Sequence, residues 1–263
     1  MSRKPSGAFG EFWEIVKTLL WAAVIAIVIR TFAYEPFNIP SGSMIPTLLV
    51  GDYLFVSKTA YGYSKFSFPG GIVPVEGRIW EGKPKRGDVV VFRPPGELET
   101  DFIKRVIGLP GDRIQVINGT PVERQPIQPY VDPDDPEMRE IPQYLETLPG
   151  GVTHPILEQQ SDNGPYDNTQ IYVVPPDHYF MMGDNRDNSN DSRAKVGGTE
   201  KCSGDTIDES KTDCLGPVGF VPKENLIGPA KILFWSYGSS FRWYNPITWV
   251  TALRFGRLLN VID

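Results

Sequence analysis

Two short stretches hold the residue types that can do chemistry. In Pro40-Ser41-Gly42-Ser43-Met44-Ile45-Pro46 a serine follows a glycine on a tight turn. In Asp101-Phe102-Ile103-Lys104-Arg105-Val106 a lysine interrupts an apolar strand pattern. A serine hydroxyl is a poor nucleophile until a base takes its proton. The chain has only two histidines, His154 and His178, so lysine is the alternative base. A lysine that titrates near ~10.4 is protonated at neutral pH, but burial among apolar side chains disfavours the charged form and lowers that value. Strand alternation puts Phe102, Lys104 and Val106 on one face and Ile103, Arg105 and Ile107 on the other. A neutral amine at Lys104 would take the proton of Ser43, which is the chemistry of a hydrolase with a serine nucleophile and a lysine base. Gly42 tolerates the turn that presents Ser43, and the Ser41 hydroxyl can face the developing oxyanion beside the Ser43 N–H. Taken singly, Lys104 also reads as a solvated edge-strand lysine, and Ser43 as part of a polar turn or a helix N-cap.

A third stretch, from Gly183-Asp184-Asn185-Arg186 through Asp191-Ser192-Arg193, invites a calcium reading. It fails the EF-hand pattern: counted from Asp187, position six is Ser192 rather than Gly, and position twelve is Gly198 rather than Glu. A hydrogen-bonded polar loop is the better reading, and no metal or other cofactor is expected.

The elements that must position these residues are mostly strands. Gly51-Asp52, Gly87-Asp88 and Gly111-Asp112 each precede an apolar run, a turn-then-strand design used three times. The run Val89-Val90-Val91-Phe92 reads as buried on both faces, and residues 102–107, 171–174, 179–182 and 232–235 read as further strands. No amphipathic helix of useful length falls between Ser57 and Pro229. The expected fold is mainly β: a catalytic body over 35–118 and 177–240, with a smaller inserted β subdomain over 119–176, where prolines recur and Gly150-Gly151 and Asn163-Gly164 suggest hairpins. A net charge of −6 argues against nucleic acid as a partner.

Residues 12–34 read as a single transmembrane helix after a cytoplasmic tail, 1–11. At 1.5 Å per residue the span is roughly 34 Å, enough for ~30 Å of hydrocarbon. A cleaved signal peptide is the competing reading. Arg3, Lys4 and Lys17 precede the span, and after Arg30 no basic residue occurs until Lys58, so the amino terminus should be cytoplasmic and the rest outside. In that oxidising location Cys202 and Cys214 read as a disulfide, worth about 3 kcal/mol on the chain-entropy model; two free thiols are the alternative. The segment 241–263 mixes Trp, Tyr, Phe and Leu with Arg242, Arg254 and Arg257. It reads equally as an amphipathic membrane-surface segment or as a tail packed on the body.

Taken together and in order, these stretches resemble the bacterial type I signal peptidases, membrane-bound Ser-Lys endopeptidases. The resemblance starts at Tyr34-Glu35-Pro36-Phe37-Asn38-Ile39, includes Arg86 to Phe92 and Asp101 to Asp112, and ends at Gly183 to Arg193. It implies that Ser43 is the acylating nucleophile, Lys104 the general base, and Ser41 part of the oxyanion hole. It further implies that Ser189 orients the Lys104 amine, that Asp191 and Arg193 brace the loop, and that Phe37, Ile39, Met44, Leu48, Val91 and Ile103 line pockets for small residues before the cut. The implied fold is a β-rich body with an inserted subdomain. The implied partners are preprotein signal peptides and the phospholipid bilayer of the bacterial cytoplasmic membrane, with secretion machinery as a further candidate. Some relatives have two amino-terminal spans where this chain has one, and the resemblance carries no disulfide to Cys202 and Cys214. A self-cleaving repressor-type protease would need a DNA-binding domain where this chain has an apolar span. A purely binding β domain would not need both Ser43 and Lys104.

Overall fold

The computed structural model describes residues 8–67, 77–134, 140–159, 164, 166–194 and 205–262. Helix α1, Ala8–Phe32, is followed by strands β1 Tyr34–Asn38, β2 Asp52–Ser57, β3 Val89–Phe92, β4 Phe102–Gly108, β5 Arg113–Ile114, β6 Arg124–Pro126 and β7 Gln143–Thr147. Then come β8 Thr153–Leu157, β9 Ile171–Val173, β10 His178–Met182, β11 Thr206–Ile207, β12 Phe220–Pro222, β13 Leu226–Ser236 and β14 Asn260–Val261, with a single helical turn, α2, at Thr248–Thr251. The fold is mainly β with one amino-terminal apolar helix, as the patterning requires.

The main sheet is antiparallel and runs β1-β2-β13-β3-β4-β10-β12, with β14 on the flank of β13. Long β13 pairs with β3 through its first half and with β2 through its second, with register shifts along both pairings. One strand thus joins the two halves of the sheet, and the shifts give it the bend that requires. β3 is buried on both faces: Val89 and Val91 pack in one apolar cluster, Val90 and Phe92 in another.

The three Gly-Asp turns are one device repeated. Gly51, Gly87 and Gly111 have φ of 89°, 93° and 87°, which only glycine adopts without strain. The following aspartate then accepts the backbone N–H three residues earlier: Leu49 to Asp52 at 2.8 Å, Lys85 to Asp88 at 2.9 Å and Leu109 to Asp112 at 2.6 Å. Each turn leads into a strand, β2, β3 and β5.

Between residues 119 and 176 lies the antiparallel meander β6-β7-β8, and Gly150-Gly151 forms the β7–β8 hairpin. Asn163 of the other expected hairpin lies outside the described residues. β9, in the same range, pairs with β5 and β11, which flank that range on either side. β13 is longer than residues 232–235 because its first half is buried between neighbours.

Among the described residues one helix is long and apolar enough to cross a membrane, Gly10–Phe32, with mean hydropathy 2.0 and its apolar residues facing outward. It stops two residues short of Tyr34, which begins β1 opposite Ser57. The helix end is fastened to the body: the Tyr63 hydroxyl donates to Phe32 O, and Lys58 N donates to Ala33 O at 3.0 Å. At the carboxyl end Trp243, Tyr244, Ile247, Trp249 and Val250 are exposed, while Ala252 and Ile262 are buried. Arg257 donates to buried Asp52 at 2.5 Å, and Arg254 stands 3.8 Å from it. The segment therefore packs on the body through one side and presents aromatic rings on the other.

Candidate active site

Lys104 lies where β10 ends. β10 and β4 pair as Phe180↔Gly108, Met181↔Val106 and Met182↔Arg105, and no further. From Lys104 back to Phe102 the β10 side of β4 is unpaired, and there the chain after Met182 turns away at Gly183. A Cβ at residue 183 would stand 2.3 Å from Ser189 Oγ and 2.5 Å from Ser43 O, so only glycine lets this loop approach the serine turn. Asn185 completes the contact, its N donating to Ser43 O and its Nδ2 to Gly42 O, both at 3.1 Å.

Ser43 sits in the short 3-10 turn Gly42–Met44, after Ser41 in extended conformation. Lys104 Nζ donates to Ser43 Oγ at 2.6 Å and to Ile103 O at 3.1 Å, and stands 5.6 Å from the Phe102 ring centre. Ser43 is 7% exposed and Lys104 4%. On the neighbouring strand Lys104 faces Val90, which is fully buried. Burial pushes the Lys104 ammonium down to about 8, against the attraction of Asp191 and Asp184, with Arg193 adding to the fall. An amine in that position holds a substantial neutral fraction near physiological pH and is in contact with the hydroxyl it would deprotonate.

Both residues open on a cleft of about 390 Å³ lined by Phe37, Ile39, Pro40, Ser41, Val91, Phe102 and Ile103, with Thr100, Asp101, Asn188 and Asn190 at its polar parts. Of the expected pocket residues, Phe37, Ile39, Val91 and Ile103 line it. Met44 and Leu48 do not; both are fully buried in the apolar cluster beneath. Ser41 is exposed at the cleft.

Arg193 Nε and Nη2 each donate to Asp191 at 2.9 Å, and Asp191 also accepts Gly183 N at 3.0 Å. Burial opposes ionisation of Asp191, but Arg193 outweighs it and holds the carboxyl below its usual range. Ser189 is buried beside Gly183, where its side chain helps to hold Asp191 ionised. The implied bond from Ser189 to the Lys104 amine is not among those Nζ makes. Cys214 is buried and disulfide-bonded; Cys202 lies outside the described residues.

Sequence reading missed Asp184 and its partners. Arg105, next to Lys104, donates from Nε and Nη2 to Asp184 at 2.9 and 2.8 Å, and Thr47 Oγ1 donates to Asp184 at 2.5 Å. An arginine inside an apolar strand was the available signal, since a buried guanidinium demands a carboxylate. Away from the cleft, Glu158, Asp167 and Asp187 bring carboxylate oxygens within 4.8 Å of one another. This is a donor set for a hard cation, though Arg124 already stands 3.6 Å from Glu158 and none of the three lines the cleft.

The family model described as "Signal peptidase, peptidase S26" matches residues 12–235. The chain belongs to that family. The relative called signal peptidase I from Rickettsia canadensis (strain McKiel) is 37% identical over 93% of this chain and 91% of its own length. The Rickettsia typhi protein of the same description is 38% identical over 90% of this chain and 88% of its own. A crystal structure of a signal peptidase I from Enterococcus faecalis V583 is 23% identical over 56% of this chain and 96% of that one, with a TM-score of 0.26, too low for a comparison of folds. The family match takes in both stretches of the cleft and the 183–193 loop, and begins within helix α1.

Proposed function

We propose that this chain removes amino-terminal signal peptides from exported preproteins at the outer face of the bacterial cytoplasmic membrane. The observation that carries the reading is the 2.6 Å contact between a buried lysine amine and a serine hydroxyl at the floor of an apolar cleft. When the amine is neutral, it takes the Ser43 proton as Oγ attacks the scissile carbonyl carbon. The Ser43 N–H and the Ser41 hydroxyl face the oxyanion. Lys104 then returns its proton to the leaving amine, leaving an acyl-enzyme. Water, deprotonated by the same amine, hydrolyses that ester and frees Ser43.

The apolar wall formed by Phe37, Ile39, Val91 and Ile103 offers no partner to a charged side chain, so it favours small apolar residues before the cut. Helix α1 would cross the bilayer once with its amino terminus inside, since basic residues cluster before it. The exposed Trp243, Tyr244, Ile247 and Trp249 supply an aromatic face of the kind that settles at a lipid interface. The Asp191–Arg193 pair braces the loop that meets Ser43.

The test is cleavage of a peptide bearing Ala-X-Ala by wild type, Ser43→Ala and Lys104→Ala. Both variants should lose activity by several orders of magnitude. Equal cleavage by all three would overturn the assignment.

A further inference from the structure

The β7–β8 hairpin reaches the proposed catalytic pair through buried charge. Glu146, in β7, and His154, opposite it in β8, are almost wholly buried. Arg186 donates to Glu146 with both terminal nitrogens, Nη1 to Oε1 at 2.8 Å and Nη2 to Oε2 at 2.5 Å. His154 Nε2 stands 3.1 Å from Glu146 Oε2 and 3.7 Å from Asp184 Oδ1. Leu157 N, at the end of β8, donates to Asp184 O at 2.9 Å. Burial disfavours the Glu146 carboxylate, yet Arg186 and then His154 overcome this and hold it down at about 2.

From these anchors the contacts run in two directions. Asp184 holds Arg105, the residue next to Lys104 on β4. Arg186 follows Asn185, whose N–H and side chain grip the Ser43 turn, and Arg186 O accepts Arg193 Nη2 at 2.6 Å. The hairpin therefore reaches both ends of the Nζ–Oγ contact through two intermediate residues on each side, Asp184 and Arg105 towards Lys104, Arg186 and Asn185 towards Ser43. Apolar side chains of the hairpin region, Leu148, Ile156 and Leu157, are already buried. Replacing a buried ion pair by apolar groups is often neutral or stabilising, so holding the hairpin in place does not by itself call for Glu146 and Arg186. What a bidentate pair adds is geometry, because it fixes a guanidinium in both distance and plane.

We infer that the β7–β8 hairpin is a positioning element for the proposed Ser43–Lys104 pair, with Glu146 setting the 183–189 loop through Arg186 and His154 linking Glu146 to Asp184. This rests on the proposed peptidase reading. It gives the smaller meander a task in the reaction without placing any of its residues in the cleft, and Glu146 and His154 are positioning residues that touch no substrate.

The test uses full-length protein in micelles and an Ala-X-Ala peptide, comparing wild type with Glu146→Gln, Arg186→Gln, the double variant and His154→Gln. Glu146→Gln keeps the shape and removes the charge that aligns Arg186. A displacement of the loop by even about 1 Å should lower kcat by roughly 10- to 100-fold, with KM within about twofold. The double variant should lose little more than either single one, since the two side chains act as one unit. His154→Gln should show the same split with a smaller loss, and it decides the matter if Glu146→Gln does not fold. Variants that unfold at lower temperature but keep wild-type kcat when folded would overturn the inference, as would additive losses or a rise in KM with unchanged kcat. Ser43→Ala in parallel separates the two claims: if it still cleaves, the peptidase reading fails, whatever Glu146 does.

Discussion

Replacing Lys104 with methionine should stabilise the protein while abolishing its activity, by an amount that depends on pH. Methionine is similar in length and fills the same apolar space without charge. In the folded state burial lowers the Lys104 ammonium from 10.5 to about 8. At 1.36 kcal/mol per tenfold, that difference corresponds to about 3 kcal/mol of destabilisation when the lysine is protonated in both states. The unfolded chain then binds the proton more tightly than the folded one. The cost is present in full below pH 8 and is relieved as pH rises from 8 towards 10.5. From pH 7 to 9.5 the wild type should regain about 2 kcal/mol that the methionine variant never lost. Groups that titrate alike in both proteins cancel in the difference.

The assay is urea unfolding in micelles followed by tryptophan emission, with the midpoint and slope taken at each pH for both proteins. The stability advantage of Lys104→Met should be largest at pH 6 to 7 and shrink steadily above pH 8. An advantage that is absent, or that stays constant across this range, would refute the claim that the folded protein strains against a charge at residue 104. It would leave Lys104 an ordinary protonated lysine, unfit to serve as the base.

The same amine sets the rate profile: kcat/KM should rise about tenfold per pH step below a midpoint near 8 and level off above it. Asp191 raises Lys104 while Arg193 lowers it, so Asp191→Asn should move that midpoint downward, and an unmoved or raised midpoint would contradict the electrostatics. Gly183→Ala should cost at least about 10-fold in kcat, because its Cβ would stand 2.5 Å from Ser43 O; near-normal kcat in the folded variant would show that the loop approaches Ser43 less closely.

How far the sequence discloses this arrangement depends on whether the cause is local. The Gly-Asp turns are legible because glycine φ and an aspartate acting on its own turn are short-range, and all three form as expected. The double burial of β3 is legible because four apolar residues in succession leave no solvated face. Arg105 is different. Alternation assigns it a face, but not the carboxylate of Asp184, which lies 79 residues away in sequence. Met44 and Leu48 differ again: the resemblance implies a pocket role for both, and the fold sets them in the apolar cluster beneath the cleft. Glu146 and His154 lie in a proline-rich range that reads as a smaller inserted subdomain, and only the docking of β8 onto Asp184 brings them behind the 183–189 loop.

The dehydration of Lys104 is supplied by protein atoms alone. Lys104 is 4% exposed, enclosed by Val90, Phe102 and the loop after Met182. The bilayer is therefore not needed to lower the amine, and its contribution to the proposed reaction is to bring a membrane-held substrate to the cleft. Two measurements separate these roles. The pH midpoint of kcat/KM for a short soluble peptide should agree within a few tenths between detergent micelles and lipid vesicles, because the burial that sets it is internal. For a substrate whose apolar segment partitions into the vesicle, kcat/KM should rise with co-reconstitution, since confinement to one surface raises the effective concentration. A midpoint that falls on transfer into vesicles would mean that lipid completes the burial of Lys104, and the claim of an internally dehydrated base would be lost.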